Sequence, residues 1–113
     1  MQHYDNFYHQ QINSELSAIR SQLLERLKLS QVPSYRSVYA LLEVTEPSLW
    51  IETLINKVGP EYQPLIGRLD TLEAAISQIE IGQYGYCCDC EKKIDEQTLK
   101  LDPAAQRCMS CQR

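Results

Sequence analysis

The apolar residues Ile12, Leu16, Ile19, Leu23 and Leu27 recur every three or four positions through a polar stretch, and Leu65, Leu69, Leu72, Ile76 and Ile79 repeat that spacing later in the chain. Each set forms a narrow stripe along one side of a helix, the pattern of a coiled-coil seam. Two shorter helical patterns lie between them, Ser34 to Glu43 and Pro47 to Val58. Pro33 interrupts the pattern on one side and Gly59-Pro60 on the other, and Lys57 followed by that Gly-Pro pair is a helix stop signal.

Antiparallel folding sets residues opposite one another whose numbers keep a constant total. Ile12 opposite Ile79, Leu16 opposite Ile76, Ile19 opposite Leu72, Leu23 opposite Leu69 and Leu27 opposite Leu65 satisfy that condition to within one residue. The same register pairs Val38 with Leu54 and Leu42 with Trp50, and it sets Pro33 against Gly59. It puts the turn near 44–47, where Thr45-Glu46-Pro47 supplies turn chemistry and a proline suited to the first turn of the next helix. Two seams can always be slid into some register, so the coincidence of the turn with the paired breaks is the stronger argument. The fold class expected is mainly α: a kinked antiparallel helical hairpin, a coiled coil, over residues 1–82, followed by a small four-cysteine domain at 83–113. Arms of roughly 35 to 40 residues at 1.5 Å per residue would reach on the order of 50 Å. A compact bundle of four short helices is the alternative, favoured by ordinary helix lengths.

All five cysteines fall within YGYCCDCEKKIDEQTLKLDPAAQRCMSC, residues 84–111. Cys87 with Cys90 and Cys108 with Cys111 form two C-x2-C pairs with 17 residues between them, a spacing common in zinc sites. Two intervening residues let both sulfurs of one turn face a single ion at about 2.3 Å. Cys88 could pair with Cys90 only as C-x-C, a poorer knuckle, and is read as a spare thiol. Four thiolates leave zinc no open position for water or substrate, so the expected role is one structural zinc and no catalytic residue. Zinc binding worth roughly 10 to 16 kcal/mol would fold a segment too small for a core of its own. The competing readings are small buried hydrophobes and a redox C-x2-C pair, but the latter belongs beside a βαβ pattern, which the sequence lacks.

Charge narrows the partners. With 11 Lys and Arg against 15 Asp and Glu, a net charge of −4 and a pI near 5.1, the chain is poorly suited to track a phosphate backbone, and no direct nucleic-acid binding is expected. The longest apolar runs are too short to span a membrane, and MQHYDNFYHQQ lacks the features of a signal peptide, so a cytoplasmic protein with no membrane partner is expected. In that reducing compartment clustered cysteines read as metal ligands rather than disulfides. His3 and His9 are not read as ligands, Tyr4/Tyr8 and Tyr35/Tyr39 read as helix-face packing, and Lys92, Lys93, Lys100 and Arg107 are expected to offset the net −2 of a zinc tetrathiolate.

The stretch IEIGQYGYCCDCEKKIDEQTLKLDPAAQRCMSC, from Ile79 to Cys111, resembles the zinc-finger signature of the DksA/TraR proteins, bacterial factors that bind RNA polymerase. The Tyr-Gly-Tyr-Cys lead-in at 84–87, with Ile94, Leu99 and Pro103 between the knuckles, carries the resemblance. Two departures stand out: Glu91 occupies the place where the family usually has a glycine after the second cysteine, and the chain stops two residues past Cys111, as in a short-form relative.

That resemblance implies a mechanism in which a monomer inserts its hairpin into the secondary channel of RNA polymerase and sets acidic tip residues near the active site. The family tip is usually D-x-x-D-x-A; here the expected turn reads Glu43-Val44-Thr45-Glu46-Pro47-Ser48, so Glu43, Glu46 and Ser48 are the candidate tip residues. Read without the family, Glu43 and Glu46 are solvated turn residues, Glu46 being favoured at a helix start by the dipole. Weak or no response to guanosine tetraphosphate is expected, because Asp102, Gln112 and Thr71 stand where longer relatives place basic groups. A zinc-stabilised coiled-coil adaptor with another protein partner is the alternative function.

Overall fold

The computed structural model describes residues 2–112, with side chains described from residue 7 onward. It is mainly helical: α1 (Gln2–Lys28), α2 (Pro33–Glu43), α3 (Trp50–Leu54), α4 (Gln63–Glu80) and α5 (Glu96–Leu101), with 3-10 turns at Pro47–Leu49, Pro60–Tyr62 and Met109–Cys111. Among the described residues there is no strand, only an isolated antiparallel bridge between Tyr86 and Lys93. No helix among them is long and apolar enough to cross a membrane. The chain divides into two compact units, Ser17–Asp70 and Met1–Leu16 with Thr71–Arg113, and α1 and α4 each give residues to both.

In the Ser17–Asp70 unit the chain doubles back on itself as an antiparallel helical hairpin. The Arg26 guanidinium lies 4.6 Å from the Tyr62 ring centre, Tyr35 meets Gly59, Glu61 and Tyr62, and Trp50 Nε1 donates to the Thr45 carbonyl at 3.0 Å. Pro33 opens α2, where its missing N–H has no partner to lose. At the far end Thr45 Oγ1 donates back to the Leu41 carbonyl, and Glu46 is extended (ψ 136°), as the residue before a proline prefers. Leu23, Leu27, Leu42, Leu54 and Leu69 are fully buried, each worth about 1.5–3 kcal/mol of transfer from water.

The returning arm departs from expectation in two ways. The helix expected from Pro47 to Val58 is broken: α3 covers only Trp50–Leu54, and Lys57 and Val58 bond back to Leu54 in turns. The β-branched Ile51, Thr53 and Ile55 weaken the helix, Thr53 Oγ1 bonds the Leu49 carbonyl, and Gly59-Pro60 bars continuation. The α4 seam is also rotated. Tyr62, Ile66, Leu69, Leu72 and Ala75 are buried, whereas Leu65, Ile76 and Ile79 are only half-buried. A search for bulky aliphatic residues passes over an alanine and a tyrosine on the inner face.

In the other unit Tyr8, Ile12 and Leu16 of α1 are buried, as are Leu72 and Ala75 of α4. Tyr8 packs on Tyr84, with ring centres 6.2 Å apart. α4 ends in a Schellman cap: Gly82 is left-handed (φ 77°), its N–H bonds the Ile79 carbonyl, and Gln83 N–H bonds the Gln78 carbonyl. That cap turns the chain into the cysteine-bearing segment.

Candidate metal centre

The first cysteine pair sits in a tight loop flanked by paired backbone. Ile94 N–H bonds the Gly85 carbonyl and Cys87 N–H the Lys92 carbonyl, both at 2.7 Å, so the chain folds back around Cys87–Lys92. Gly85 reaches φ 90° at the entry, a conformation open to a residue without Cβ. Within the loop the Glu91 N–H bonds the Cys87 carbonyl at 2.9 Å, and the Cys90 N–H points at Cys87 Sγ at 3.5 Å. In the second pair Cys108 stands at the N-cap of the 3-10 turn Met109–Cys111 and Cys111 ends it, the Cys111 N–H bonding the Cys108 carbonyl. Cys88 N–H bonds the Gln106 carbonyl at 2.8 Å and ties one knuckle to the approach of the other.

The result is one cluster. The sulfurs of Cys87, Cys90, Cys108 and Cys111 lie within 4.8 Å of one another, and Cys90 and Cys108 are 3.6 Å apart. Tetrahedral zinc with Zn–S near 2.3 Å sets sulfurs about 3.8 Å apart, so the four thiols fit one structural zinc. Cys88 is exposed, lies outside this cluster, and turns towards Asp89.

The thiols' own acidities point the same way. Backbone N–H groups of Cys90 and Cys108 aim at Cys87 and lower its pKa to about 6, so one thiolate forms readily. Cys90 and Cys111 then resist ionisation: hydrogen bonding with the Cys108 sulfur, then with Cys87, pushes Cys111 up to about 12, and Cys90 is also raised. A full set of four thiolates therefore needs a cation to neutralise it. Zinc supplies that charge and no open coordination position, and the cluster's contribution is to hold the fold.

The residues between the knuckles form a small core. Tyr84, Ile94, Leu99 and Ala104 are buried with Cys87, and Tyr84 Oη donates to the Pro103 carbonyl at 2.7 Å. Those contacts explain why Tyr84, Ile94, Leu99 and Pro103 mark the signature. Asp95 caps α5, its carboxylate accepting from Thr98 N at 3.2 Å and Thr98 Oγ1 at 2.7 Å. Gln106 Nε2 reaches the Thr71 carbonyl of α4 at 3.0 Å. Asp95 three residues ahead of Thr98 is the sequence signal for that cap, whereas nothing in the sequence signals the Gln106 contact. Arg107, expected to offset the thiolates, is first engaged by Asp89 at 2.7 Å. That partner raises its pKa most, with smaller contributions from Cys88 and Cys87. Glu91 is the non-glycine residue with positive φ (63°) among those described, at the position noted above as a departure.

The candidate tip residues belong to the Ser17–Asp70 unit. Glu43 is the last residue of α2, and Glu46 and Ser48 flank Pro47; all three are exposed. Desolvation, and then the neighbouring Glu43 carboxylate, raise the pKa of Tyr39, one turn before Glu43. The Glu46 side chain has no hydrogen bond or ion pair among the described residues. The side chains of His3 and Tyr4 lie outside the described residues. His9 is half-buried and lies outside the thiol cluster.

Residues 82–113 match the family described as the prokaryotic dksA/traR C4-type zinc finger. The matched stretch begins at the glycine that caps α4 and takes in all five cysteines. No curated protein and no solved structure matches the chain.

Proposed function

We propose that this chain, whose C-terminal segment is a zinc finger of the prokaryotic dksA/traR type, is a non-catalytic regulator of transcription that binds bacterial RNA polymerase through the secondary channel. The observation that carries the reading is the finger match itself, over four thiols gathered at zinc-compatible distances. The hairpin turn with its exposed carboxylates supports it further. The protein acts in the cytoplasm as a monomer, without contacting nucleic acid directly.

In this reading the finger and hairpin flanks supply affinity and the turn supplies the effect. A carboxylate in a confined, charge-rich space acts on nearby groups far more strongly than in bulk water. Glu46, extended ahead of Pro47 and without a side-chain partner among the described residues, is free to do so. Glu43, on the last turn of α2 beside Tyr39, lies farther from the turn. The test is promoter-complex lifetime in purified transcription, with polymerase affinity measured separately for each variant. Glu46→Ala should abolish the effect while leaving affinity nearly intact, Glu43→Ala should give a smaller loss, and Ser48→Ala should be neutral or enhance activity. Unchanged activity for Glu43→Ala/Glu46→Ala would remove the turn from the mechanism and favour an adaptor with another protein partner. Affinity falling in step with activity would make the turn a docking contact instead.

A further inference from the structure

Both interruptions of the hairpin are gaps in the helical ladder, and one tyrosine stands next to both. After α1 ends at Lys28, Leu29 N–H still reaches the Glu25 carbonyl and Ser30 N–H reaches Leu27, but helix resumes only at Pro33. On the return α3 ends at Leu54, bonds from Ile55 to Ile51 and from Val58 to Leu54 carry the ladder one turn further, and it stops at Gly59, extended (φ −84°, ψ −179°) ahead of Pro60. Where the i to i−4 ladder stops, φ and ψ can change without breaking helical hydrogen bonds, and a few such residues suffice for a hinge.

Tyr35, in the first turn of α2 and so just past the first gap, closes the second. Its hydroxyl accepts from the Gly59 N–H at 2.8 Å and donates to Glu61 Oε2 at 3.1 Å. Its ring meets Tyr62 edge to face, with centroids 5.4 Å apart and planes at 86°, and Tyr62 carries the Arg26 guanidinium on its ring. A single stack thus runs from the last turns of α1 through Tyr62 to the start of α2. Arg36 Nη1 reinforces the first gap by donating to the Ser30 carbonyl at 2.8 Å. The fit at the second gap is close: a Cβ on Gly59 would collide with the Glu61 carboxylate and lie 2.9 Å from Tyr35 Oη.

We propose that residues 30–32 and 59–60 form a double hinge, and that the Tyr35 hydroxyl is its latch. The latch holds the segment from α2 to α3 at one angle to the end of α1 and the start of α4, all within the Ser17–Asp70 unit. Release would let residues 33–58 swing as a body, carrying Glu43 and Glu46. The inference stands apart from the polymerase reading and is tested without it.

The test is Tyr35→Phe in the zinc-loaded full chain, which keeps the ring and removes only the hydroxyl. Amide hydrogen exchange at Gly59 should rise roughly tenfold, on the scale of one net hydrogen bond, with α2 and α3 rising alongside. Amides of 19–27 and 66–70 should keep their rates. Residual dipolar couplings of α2 should shrink relative to those of 19–27, which a local loss of one bond would not produce. Glu61→Gln, which keeps an acceptor for the hydroxyl, should resemble the unaltered chain. Unchanged exchange at Gly59, a parallel rise in every segment, or faster Gly59 exchange with undiminished α2 couplings would each overturn the latch.

Discussion

Glu91 offers a direct trial of how the finger is built. It follows the second zinc ligand, closes the first knuckle through its N–H to the Cys87 carbonyl, and does so at φ 63°. A Cβ in the left-handed region costs roughly 1–2 kcal/mol, and glycine removes that strain. Glycine also loses more backbone freedom on folding, about 0.5–1 kcal/mol. The net gain for Glu91→Gly is about 1 kcal/mol. Because folding of the finger is coupled to the metal, that gain appears as zinc affinity, about fivefold at 1.4 kcal/mol per decade. Removing a carboxylate beside a −2 centre would also tighten binding, so the comparison must be with Glu91→Gln, which neutralises the charge and keeps the strained backbone. Competition against a fluorescent zinc chelator under reducing conditions reads both variants in the full chain. Glu91→Gly should exceed Glu91→Gln by about fivefold, and Glu91→Asn should fall between them, since asparagine tolerates this conformation better. Equal affinities for the glycine and glutamine variants would refute the strain argument.

Other expectations follow from the same site. Cys88→Ser should retain one zinc per chain and Cys90→Ser should lose it, as metal analysis will read; the reverse would sink the ligand assignment. Asp95→Ala removes the cap of α5 and should weaken zinc binding by about 1 kcal/mol, near fivefold. The Thr98 hydroxyl lowers the Asp95 pKa most, burial opposes it, and the Thr98 N–H adds a smaller lowering that leaves the net shift downward. Its stabilisation is therefore present above the ordinary carboxylate pKa and lost only as pH falls through the lowered value, so the difference should stay flat across about pH 6 to 8. Guanosine tetraphosphate should bind weakly or not at all. Asp102 and Thr71, with Gln112, line a shared depression with Arg107, whose Nε is bonded to Asp89, and a carboxylate there repels a multiply charged ligand. Calorimetry showing micromolar binding that is lost on mutating Asp102 or Thr71 would contradict this.

The elements whose signal is local were legible in the sequence. The paired C-x2-C spacing identified the four sulfurs that the fold gathers, because two residues between cysteines make a knuckle whatever surrounds it. The α1 seam was equally plain, and Ile12, Leu16, Ile19, Leu23 and Leu27 are all buried. The inner face of α4 and of the 3-10 turn before it includes Ala75 and Tyr62, residues equally at home elsewhere, so a pattern of large aliphatics points to Leu65 and Ile79 instead. The Tyr35 contacts with Gly59 and Glu61 join residues 24 and 26 positions apart through a hydroxyl, and no periodicity announces such a bond. Glu91 was visible as a departure, but its cost became physical only once its φ was known.

Binding competition tests the proposal that this chain acts inside RNA polymerase. The zinc-loaded protein, labelled and titrated with core RNA polymerase, should bind, and a transcript-cleavage factor that occupies the secondary channel should displace it in proportion to its own occupancy. No binding, or binding that the cleavage factor leaves untouched, would contradict the claim and point to another partner for the hairpin.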